Sequence, residues 1–403
     1  MKKKIMILGA SILQLPAIKK AKEMGLSIVA VDMDSEAIGF KEEGIEKEII
    51  STIDIPNVLD AAKRHKIDGI MTLASDMPMR TIAVVSKELG ILGITEDTAL
   101  KATNKTVMRE SLKENDIPIP MYFKVSTKKE FINAVKQIQM LGYKCIVKPA
   151  DNSGSRGVTL LSDDKKENIS QAFVHGKEFS RSGDLVVEEF MEGPEVSVET
   201  ISIDGKCYVI QITDKLTTGA PYFVEMGHSQ PSNLDMETQN WISLVAEKAV
   251  NAIGIKNGPS HTEIIVTKDG PKIVELGARL GGDCITTHLV PLSTGVDLVK
   301  CCIELSLGKK PDISSTFNKG AAIRYLKCDT GKITSINGLK EACNMEGIQQ
   351  ISVVHDVGDY ANTIKSSTDR VGFVIAQANN AENAVKYCLN AMNKITINVN
   401  EVN

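Results

Sequence analysis

The first hundred residues alternate short apolar runs with segments of helical periodicity. The apolar runs are IMIL, SIVAVD and IDGIMTLAS, and the helical segments are PAIKKAKEM, VLDAAKRH and RTIAVVSKEL. Buried strands that alternate with helices are typical of βαβ units around a parallel sheet. We therefore predict an α/β domain over residues 1–100.

The pattern changes near residue 101, where strand-rich segments begin. Asn104 is expected to cap a helix that ends near Asp116. Strand pairs follow in KCIVKPADNSGSRGVTLL and in DLVVEEFMEGPEVSVETISI. The tail mixes strands in GAAIRYLK and RVGFVIA with an amphipathic helix in AENAVKYCLNAM. The sequence thus predicts a multidomain chain of α/β and α+β class, with domains at 1–100, 101–308 and 309–403.

A hairpin with two opposed glutamates is predicted between residues 261 and 283. The runs EIIVT and PKIVEL are rich in β-branched residues, and the loop KDG joins them. A three-residue loop ending in Gly pairs Thr267 with Pro271, which places Glu263 opposite Glu275. Like charges in that position are destabilising unless a cation lies between them. A register one residue different would separate the carboxylates, so the metal and the structural interpretations both stay open.

Charge and cysteine usage narrow the class of protein. The 403 residues carry 47 Lys plus Arg against 51 Asp plus Glu, and no dense basic run suggests nucleic-acid binding. The 8 cysteines lack CxxC and Cys/His metal spacing, which indicates reduced thiols in the cytoplasm. The apolar start is interrupted by Gln14 and Pro16, so a first strand explains it better than a signal peptide. No apolar run of about 18 residues predicts a membrane span.

A Gly-rich turn offers candidate phosphate donors. The chain has no GxxxxGK[ST] sequence, but NSGSRGV at 152–158 places two glycines and hydroxyl side chains between strands. Successive backbone N–H groups in such a turn can wrap anionic oxygens, and Lys148 could add a point charge. A plain hairpin is the commoner explanation, and Lys105 taken alone is more often a solvated lysine. Ser75 and Asp76 follow the third predicted strand, and open α/β sheets bind ligands beyond the carboxyl ends of their strands. These two residues could therefore lie near a substrate, or Asp76 could be a solvated loop residue.

Taken in order, these segments resemble the ATP-grasp superfamily of carboxylate–amine and carboxylate–thiol ligases. The resemblance covers residues 1 to about 310, and the tail and EMGHSQPS at 225–232 resemble amino-acid ligases of that superfamily. Phosphoribosylglycinamide synthetase and the biotin carboxylase group share the core. The matching segments are Lys105, VKP with Lys148, SGSRG, VVEEFM, GPEVSVE, TE and VELGAR.

The resemblance implies a Rossmann-like first domain, an ATP-grasp domain with a flexible nucleotide lid at about 120–190, and a small α+β tail domain. Within the second domain it assigns phosphate contacts to the lysines and the Gly-rich loop, the adenine edge to the VVEEFM segment, and the ribose to Glu195. The residues implied for ATP binding are Lys105, Lys148, Ser153, Gly154, Ser155, Arg156, Gly157, Glu188, Glu189, Phe190, Met191 and Glu195.

The same resemblance implies a metal and a reaction. Glu263 and Glu275 would bind Mg²⁺ or Mn²⁺, and Arg279 would face the γ-phosphate. Mg²⁺ prefers a few carboxylate oxygens with phosphate and water. Phosphoryl transfer depends mainly on positioning and charge neutralisation. The implied reaction joins a small-molecule carboxylate, an amino acid by this resemblance, to an amine through an acyl-phosphate. The sequence leaves open whether the chain forms a homodimer.

The chain departs from the superfamily pattern at one position, and one histidine is a further candidate for the site. Many relatives carry Asn two positions after the second glutamate, where this chain has Gly277, so a second metal is in doubt. His228 could recognise a substrate carboxylate or accept a proton near the amine, or could simply be a packing residue. A purine-pathway ligase of the phosphoribosylglycinamide synthetase type and a nucleotide-binding module without catalysis are the alternative functions.

Overall fold

A parallel sheet forms the first part of the chain. The computed structural model describes residues 2–152, 154, 156–162 and 165–400. The sheet has strand order β3-β2-β1-β4 and parallel pairs throughout, as the alternating pattern predicts. Its strands are β1 (Lys4–Leu8), β2 (Ser27–Asp32), β3 (Glu46–Ile49) and β4 (Gly69–Met71). The helices that follow are α1 (Leu15–Glu23), α2 (Ile55–His65), α3 (Met79–Leu89), α4 (Glu96–Thr103) and α5 (Lys105–Glu114).

A small antiparallel sheet follows, with strand order β5-β8-β6-β7. Its strands are β5 (Tyr122–Val125), β6 (Cys145–Pro149), β7 (Thr159–Leu161) and β8 (Leu185–Glu189). Helices α6 (Lys128–Met140) and α7 (Lys166–Phe179) pack against it. The apolar cluster at this sheet is built from residues between Met121 and Val187. This segment therefore has a hydrophobic core of its own.

The largest sheet has eight strands in the order β13-β12-β9-β10-β11-β14-β18-β16, and antiparallel pairs join them. Its first five strands in the chain are β9 (Glu195–Ile203), β10 (Lys206–Thr217), β11 (Glu225–Gln230), β12 (Gly258–Thr267) and β13 (Gly270–Gly277). The helices of this region are α8 (Met236–Ile253), α9 (Val290–Thr294) and α10 (Leu298–Ser306).

The tail continues this sheet. Gly227 to Gln230 of β11 pair with residues 321–324 of the next strand, so hydrogen bonding runs without a break past residue 308. The tail strands of the large sheet are β14 (Gly320–Tyr325), β16 (Ile348–Val353) and β18 (Gly372–Ala378). A three-stranded sheet of β15 (Gly331–Asn337), β17 (Tyr360–Ala361) and β19 (Thr396–Asn400) covers one end, with α11 (Leu339–Cys343) and α12 (Ala381–Met392).

Apolar packing joins the parallel sheet to the large sheet. One cluster of buried residues includes Met6 and Leu8 of β1 together with Ile273 and Leu276 of β13. A second cluster connects the other face of the parallel sheet to helix α10. Loops that follow the parallel strands are thereby held against the end of β13. Among the described residues, none of the helices has the length and apolar character needed to cross a bilayer.

Candidate active site

A cavity of about 360 Å³ opens between the small antiparallel sheet and the large sheet. It is the place where most of the residues singled out from the sequence meet. Those that line it are Lys105, Lys148, Gly154, Arg156, Glu188, Glu189, Phe190, Met191, Glu195, Glu263 and Glu275. Gly157 lies beside this lining, where an added Cβ would approach Pro149 and Phe179. Ser153 and Ser155 lie outside the described residues.

The hairpin of β12 and β13 places its two glutamates directly opposite each other, as predicted, but by a different route. Thr267 pairs with Gly270, not with Pro271, so the loop has two residues and the predicted register next to it is wrong. The register then shifts between Glu263 and Ile264, which restores the pairing of Glu263 with Glu275. This irregularity, which leaves Val274 as the extra residue, is a β-bulge.

Gly270 explains the tight turn. Its φ is 109°, a value that favours glycine, and a Cβ there would lie 2.2 Å from the ring of Trp241 on α8. The loop therefore closes one residue earlier than a three-residue turn would. The bulge supplies the compensating residue, and both carboxylates face the same cavity as a result.

Arg109, which the sequence reasoning missed, stabilises the bulge. Its guanidinium donates to the carbonyl oxygen of Val274 at 2.7 Å and to Glu188 Oε1 at 2.6 Å. Lys148 donates to the other oxygen of Glu188 at 2.8 Å. Burial alone would raise the pKa of Glu188, but these two cations outweigh it and lower that pKa to about 2. The sequence did contain one signal for Arg109. It follows Lys105 by four residues, and residues four apart lie on the same face of a helix.

Lysines contact both of the opposed glutamates. Lys105 Nζ donates to Glu275 Oε1 at 2.8 Å and to the carbonyl oxygen of Asn152 at 2.6 Å. Asn104 caps the helix as predicted, accepting from the N–H groups of Thr106 and Val107, and so fixes where Lys105 begins it. This arrangement places a positive charge between the Gly-rich segment and the end of the hairpin.

Lys215 is the second residue that the sequence reasoning missed. Its ammonium group lies 3.3 Å from Glu263, 3.7 Å from Glu225 and in hydrogen-bond contact with Glu195. Burial lowers the pKa of Lys215, but these three carboxylates outweigh it and raise that pKa above its usual value. A lone lysine in a strand gives no sequence signal for such a position, since its burial depends on the sheet that covers it.

Glu263 also contacts His261, which in turn contacts a second carboxylate. His261 Nε2 lies 3.4 Å from Glu263 Oε1, and His261 Nδ1 lies 2.5 Å from Glu199, a carboxylate that is buried. Burial lowers the pKa of His261, but Glu199 and Glu263 outweigh it and raise that pKa to about 9. The arrangement of buried carboxylate, histidine and carboxylate orients Glu263, as partners behind a metal ligand commonly do.

The segment after β8 provides the apolar part of the cavity. The Phe190 ring lies 5.9 Å from that of Phe223, and Met191 is buried beside them. The N–H groups of Glu189 and Phe190 donate to the carbonyl oxygens of Met121 and Lys144. Those two backbone donors are therefore used within the protein.

Arg279 lies beyond the end of β13 and pairs with Asp76. Its Nε lies 2.9 Å from Asp76 Oδ1 and its second terminal nitrogen lies 3.2 Å from Oδ2. Asp76 comes from the loop after β4 of the parallel sheet. The aspartate is thus an ion-pair partner and not a solvated loop residue.

His228 lies on β11, three residues after Glu225, and its side chain is 1% exposed. Its Nε2 lies 3.5 Å from Asp283, and within the described part of the chain neither ring nitrogen makes a hydrogen bond. Arg370 of the tail donates hydrogen bonds of 2.7 and 2.8 Å to the two carboxylate oxygens of Asp283. Its guanidinium carbon lies 3.7 Å from the centre of the Tyr325 ring. His228 therefore lies in a buried charged cluster between the large sheet and the tail.

Two protein-family models match the chain. Residues 141–287 match the ATP-grasp domain, and residues 324–400 match the L-amino acid ligase C-terminal domain 2. Residues 141–287 thus carry an ATP-grasp domain, and relatives and structural neighbours of the chain are ligases of the ATP-grasp superfamily. More particularly, its tail is of the kind found in L-amino acid ligases. Proteins of this superfamily bind ATP with a divalent metal.

Three curated relatives are 24–27% identical to this chain. An uncharacterized protein of Sinorhizobium fredii is 27% identical over 319 residues, covering 78% of this chain and 65% of the relative. The L-arginine-specific L-amino acid ligase of Bacillus subtilis is 26% identical, covering 77% and 75%. The phosphoribosylamine–glycine ligase of Methanococcus maripaludis is 24% identical, covering 85% and 82%. The alignment with the first of these thus spans less than two thirds of that relative's length.

Solved structures agree with the fold over nearly the whole chain. The L-amino acid ligase from Bacillus licheniformis has a TM-score of 0.85 at 22% identity, covering 99% of both chains. Phosphoribosylglycinamide synthetase from Anaerococcus prevotii has a TM-score of 0.80 at 22% identity, covering 99% and 100%. At these identities the likeness establishes the fold, and it confirms the predicted multidomain α/β and α+β class.

Proposed function

We propose that this chain is an ATP- and Mg²⁺-dependent ligase that joins the carboxylate of an amino acid to an amine through an acyl-phosphate. The observation that carries the proposal is the pairing of Glu263 with Glu275 at a cavity that Lys105 and Lys148 also line. Two carboxylates and two cations at one end of an otherwise partly apolar cavity match the needs of a bound metal–triphosphate. The L-amino acid ligase type of tail supports an amino acid as the acyl donor.

The cavity divides into a polar and an apolar end for the nucleotide. We assign the adenine to the apolar end at Phe190, Met191 and Phe223, where ring contacts would hold the base. The N–H groups of Glu189 and Phe190 already donate to carbonyl oxygens of the protein. Glu195 lines the same cavity and would accept ribose hydroxyls. The triphosphate residues would then be those of the polar end and the Gly-rich loop, namely Lys105, Lys148, Ser153, Gly154, Ser155, Arg156 and Gly157.

Glu263 and Glu275 fit the requirements of Mg²⁺. This ion usually takes one or two carboxylates and completes its shell with water and substrate phosphate. Among the described residues there is no group of three or more His, Cys, Asp or Glu side chains arranged to enclose a metal. A site of two carboxylates is the kind expected for a metal that arrives with ATP. When bound, Mg²⁺ would neutralise charge on the phosphate oxygens.

The proposed chemistry has two steps. An oxygen of the substrate carboxylate attacks the γ-phosphorus, the bond to the β-phosphate oxygen breaks, and ADP leaves. The amine nitrogen then attacks the acyl carbon, the bond to phosphate breaks, and a proton leaves the nitrogen. Arg279 would stabilise the negative charge that develops on the transferred group and on the oxyanion. His228 has the least support among the predicted residues, since its ring is enclosed by Asp283 and the tail.

Trapping of the intermediate tests the proposal. An acyl-phosphate is electrophilic, so hydroxylamine should convert it to a hydroxamate when ATP, Mg²⁺ and the correct acid are present. A panel of amino acids and other small acids would be scored for ADP and for hydroxamate. ADP release that depends on one or a few amino acids, with matching hydroxamate, is the expected result. Binding of ATP without ADP release for any acid would instead favour a nucleotide-binding module.

A phosphoribosylglycinamide synthetase activity is the second candidate. The similarity to phosphoribosylamine–glycine ligase covers 85% of this chain, more than the similarity to the L-arginine-specific ligase does. ADP release that requires phosphoribosylamine together with glycine would select this candidate. The L-amino acid ligase type of tail and Gly277, where relatives carry Asn, are the features against it.

A further inference from the structure

A side chain at Gly277 would have to displace the ends of two other side chains. An added Cβ would be 2.6 Å from Asp76 Oδ1 and 3.1 Å from Arg279 Nε. The backbone of Gly277 does not require glycine, because its φ is outside the left-handed region. The glycine is therefore explained by the ion pair beside it and not by the turn of the chain.

Asp76 lies in the loop that follows β4. Ala74 of this loop has a φ of 57°, a conformation that is uncommon for a residue with a side chain. The carboxylate engages two nitrogens of Arg279, and the third nitrogen donates to the carbonyl oxygen of Leu280 at 3.3 Å. This leaves one N–H on each terminal nitrogen of the guanidinium for a ligand.

Without Asp76, the guanidinium of Arg279 would be able to turn toward another carboxylate. Glu263 lies at the same end of the hairpin, two residues along β12 from His261, which pairs with Gly277. Glu263 is also one of the two carboxylates assigned to the metal. A guanidinium that turned toward Glu263 would neutralise that carboxylate and would no longer face the phosphate.

We infer that Asp76 is a positioning residue that fixes the guanidinium of Arg279, and that Gly277 provides the space in which the pair forms. The inference rests on the proposed function, in which Arg279 faces the γ-phosphate. It also accounts for the departure at position 277, since an Asn side chain there would take the place of the Asp76 carboxylate. The parallel sheet thus contributes directly to the geometry of the site on the large sheet.

The test compares two nucleotides in the presence of Mg²⁺. ADP lacks the γ-phosphate, and a non-hydrolysable β,γ-imido analogue of ATP carries it, so the ratio of their dissociation constants by calorimetry reports on Arg279. We expect the wild-type chain to prefer the analogue, and Arg279→Met to lose that preference. Asp76→Asn and Gly277→Ala should each lower the preference at least about fivefold, with ADP affinity unchanged. Asp68→Asn, which removes an exposed ion pair of the same sheet, is the matched control.

A double-mutant cycle separates positioning from general loss of packing. In an Asp76→Ala chain the closest approach to position 277 is gone and only the one to Arg279 Nε at 3.1 Å is left, so adding Gly277→Ala should lower the preference less than it does in the wild-type chain. Additive losses, or wild-type preference in both Asp76→Asn and Gly277→Ala, would overturn the inference. So would a wild-type chain that binds both nucleotides equally. If the wild-type chain binds neither nucleotide, the proposed function itself fails, which is a different outcome.

Discussion

Arg109 and Glu188 form an enclosed ion pair, with 2% and 1% of their side chains exposed. Lys148 contacts the second oxygen of the same carboxylate, and Arg109 also holds the carbonyl oxygen of Val274 in the bulge. One carboxylate therefore connects helix α5, the small antiparallel sheet and the hairpin. Glu188 and Lys148 line the cavity, so this connection positions Lys148 there and should also contribute to stability.

Arg109→Met should lower the free energy of unfolding by about 3–5 kcal/mol, because removing one partner of a buried ion pair leaves the other charge poorly compensated. Urea denaturation followed by circular dichroism measures this loss. Lys3→Met removes an exposed pair with Asp68 and should cost at most about 1 kcal/mol. Equal small losses in the two variants would show that the buried pair contributes no more than a surface pair.

Stability at acid pH should depend on Glu188. Its pKa is about 2 in the folded chain against an ordinary value of 4.5, because Arg109 and Lys148 outweigh the effect of burial. A carboxyl whose pKa is lower in the folded state contributes stability above its unfolded pKa and loses it as the pH falls toward the folded pKa. Between pH 4.5 and 2, the unfolding free energy of Glu188→Gln should therefore fall less steeply than that of the wild-type chain. Urea denaturation at several pH values measures both unfolding free energies. An equally steep fall in the two chains between pH 4.5 and 2 would contradict the expectation.

Lys148→Ala should weaken binding of Mg-ATP by about tenfold or more, since a hydrogen bond to a charged group contributes about 1.5–3 kcal/mol. Calorimetric titration with the non-hydrolysable analogue measures the change. Lys144→Ala, which removes an exposed pair with Glu192 nearby, is the matched control and should bind normally. Unchanged affinity in Lys148→Ala would remove this lysine from the proposed site.

Glu275→Gln should keep the fold and lose ligase activity, because it removes a proposed metal ligand while the shape of the side chain is conserved. Its unfolding free energy without ligands should change by about 1 kcal/mol or less, since the side chain is partly exposed and keeps a hydrogen bond to Lys105. The rise in melting temperature that Mg²⁺ adds to nucleotide binding should disappear. Glu382→Gln, a substitution at an exposed helix position, should behave as the wild-type chain does. Full turnover in Glu275→Gln would show that this carboxylate is only structural.

The sequence predicted the local structure around the site residues better than the contacts between distant parts of the chain. The cap at Asn104 and the opposition of Glu263 to Glu275 depend on local chemistry and on side-chain alternation, and both are confirmed. The loop length of the hairpin was wrong because the ring of Trp241 and the bulge at Val274 depend on packing from other elements. No periodic pattern in a single strand indicates such contacts.

Arg109 and Lys215 were missed for a related reason. Each is a cation whose carboxylate partners lie far away along the chain, and an isolated cation in a helix or a strand is usually solvated. Only the folded arrangement shows that Lys215 is surrounded by three glutamates and that Arg109 is enclosed with Glu188. Asp76 was a candidate from the sequence, but its ion-pair partner was not predicted, since Arg279 lies 203 residues further along the chain.

The continuous large sheet joins the tail to the part of the chain that forms the cavity. A chain cut after residue 308 would leave β11 with a free edge where β14 had paired, and free edges promote intermolecular association. The strand so exposed carries His228 and begins at Glu225, so the damage would reach the wall of the cavity. An exchange of tails with a relative should therefore be joined beyond Tyr325, inside the tail, where the hydrogen bonds between β11 and β14 are kept; the incoming tail must then supply the strand that pairs with the other edge of β14.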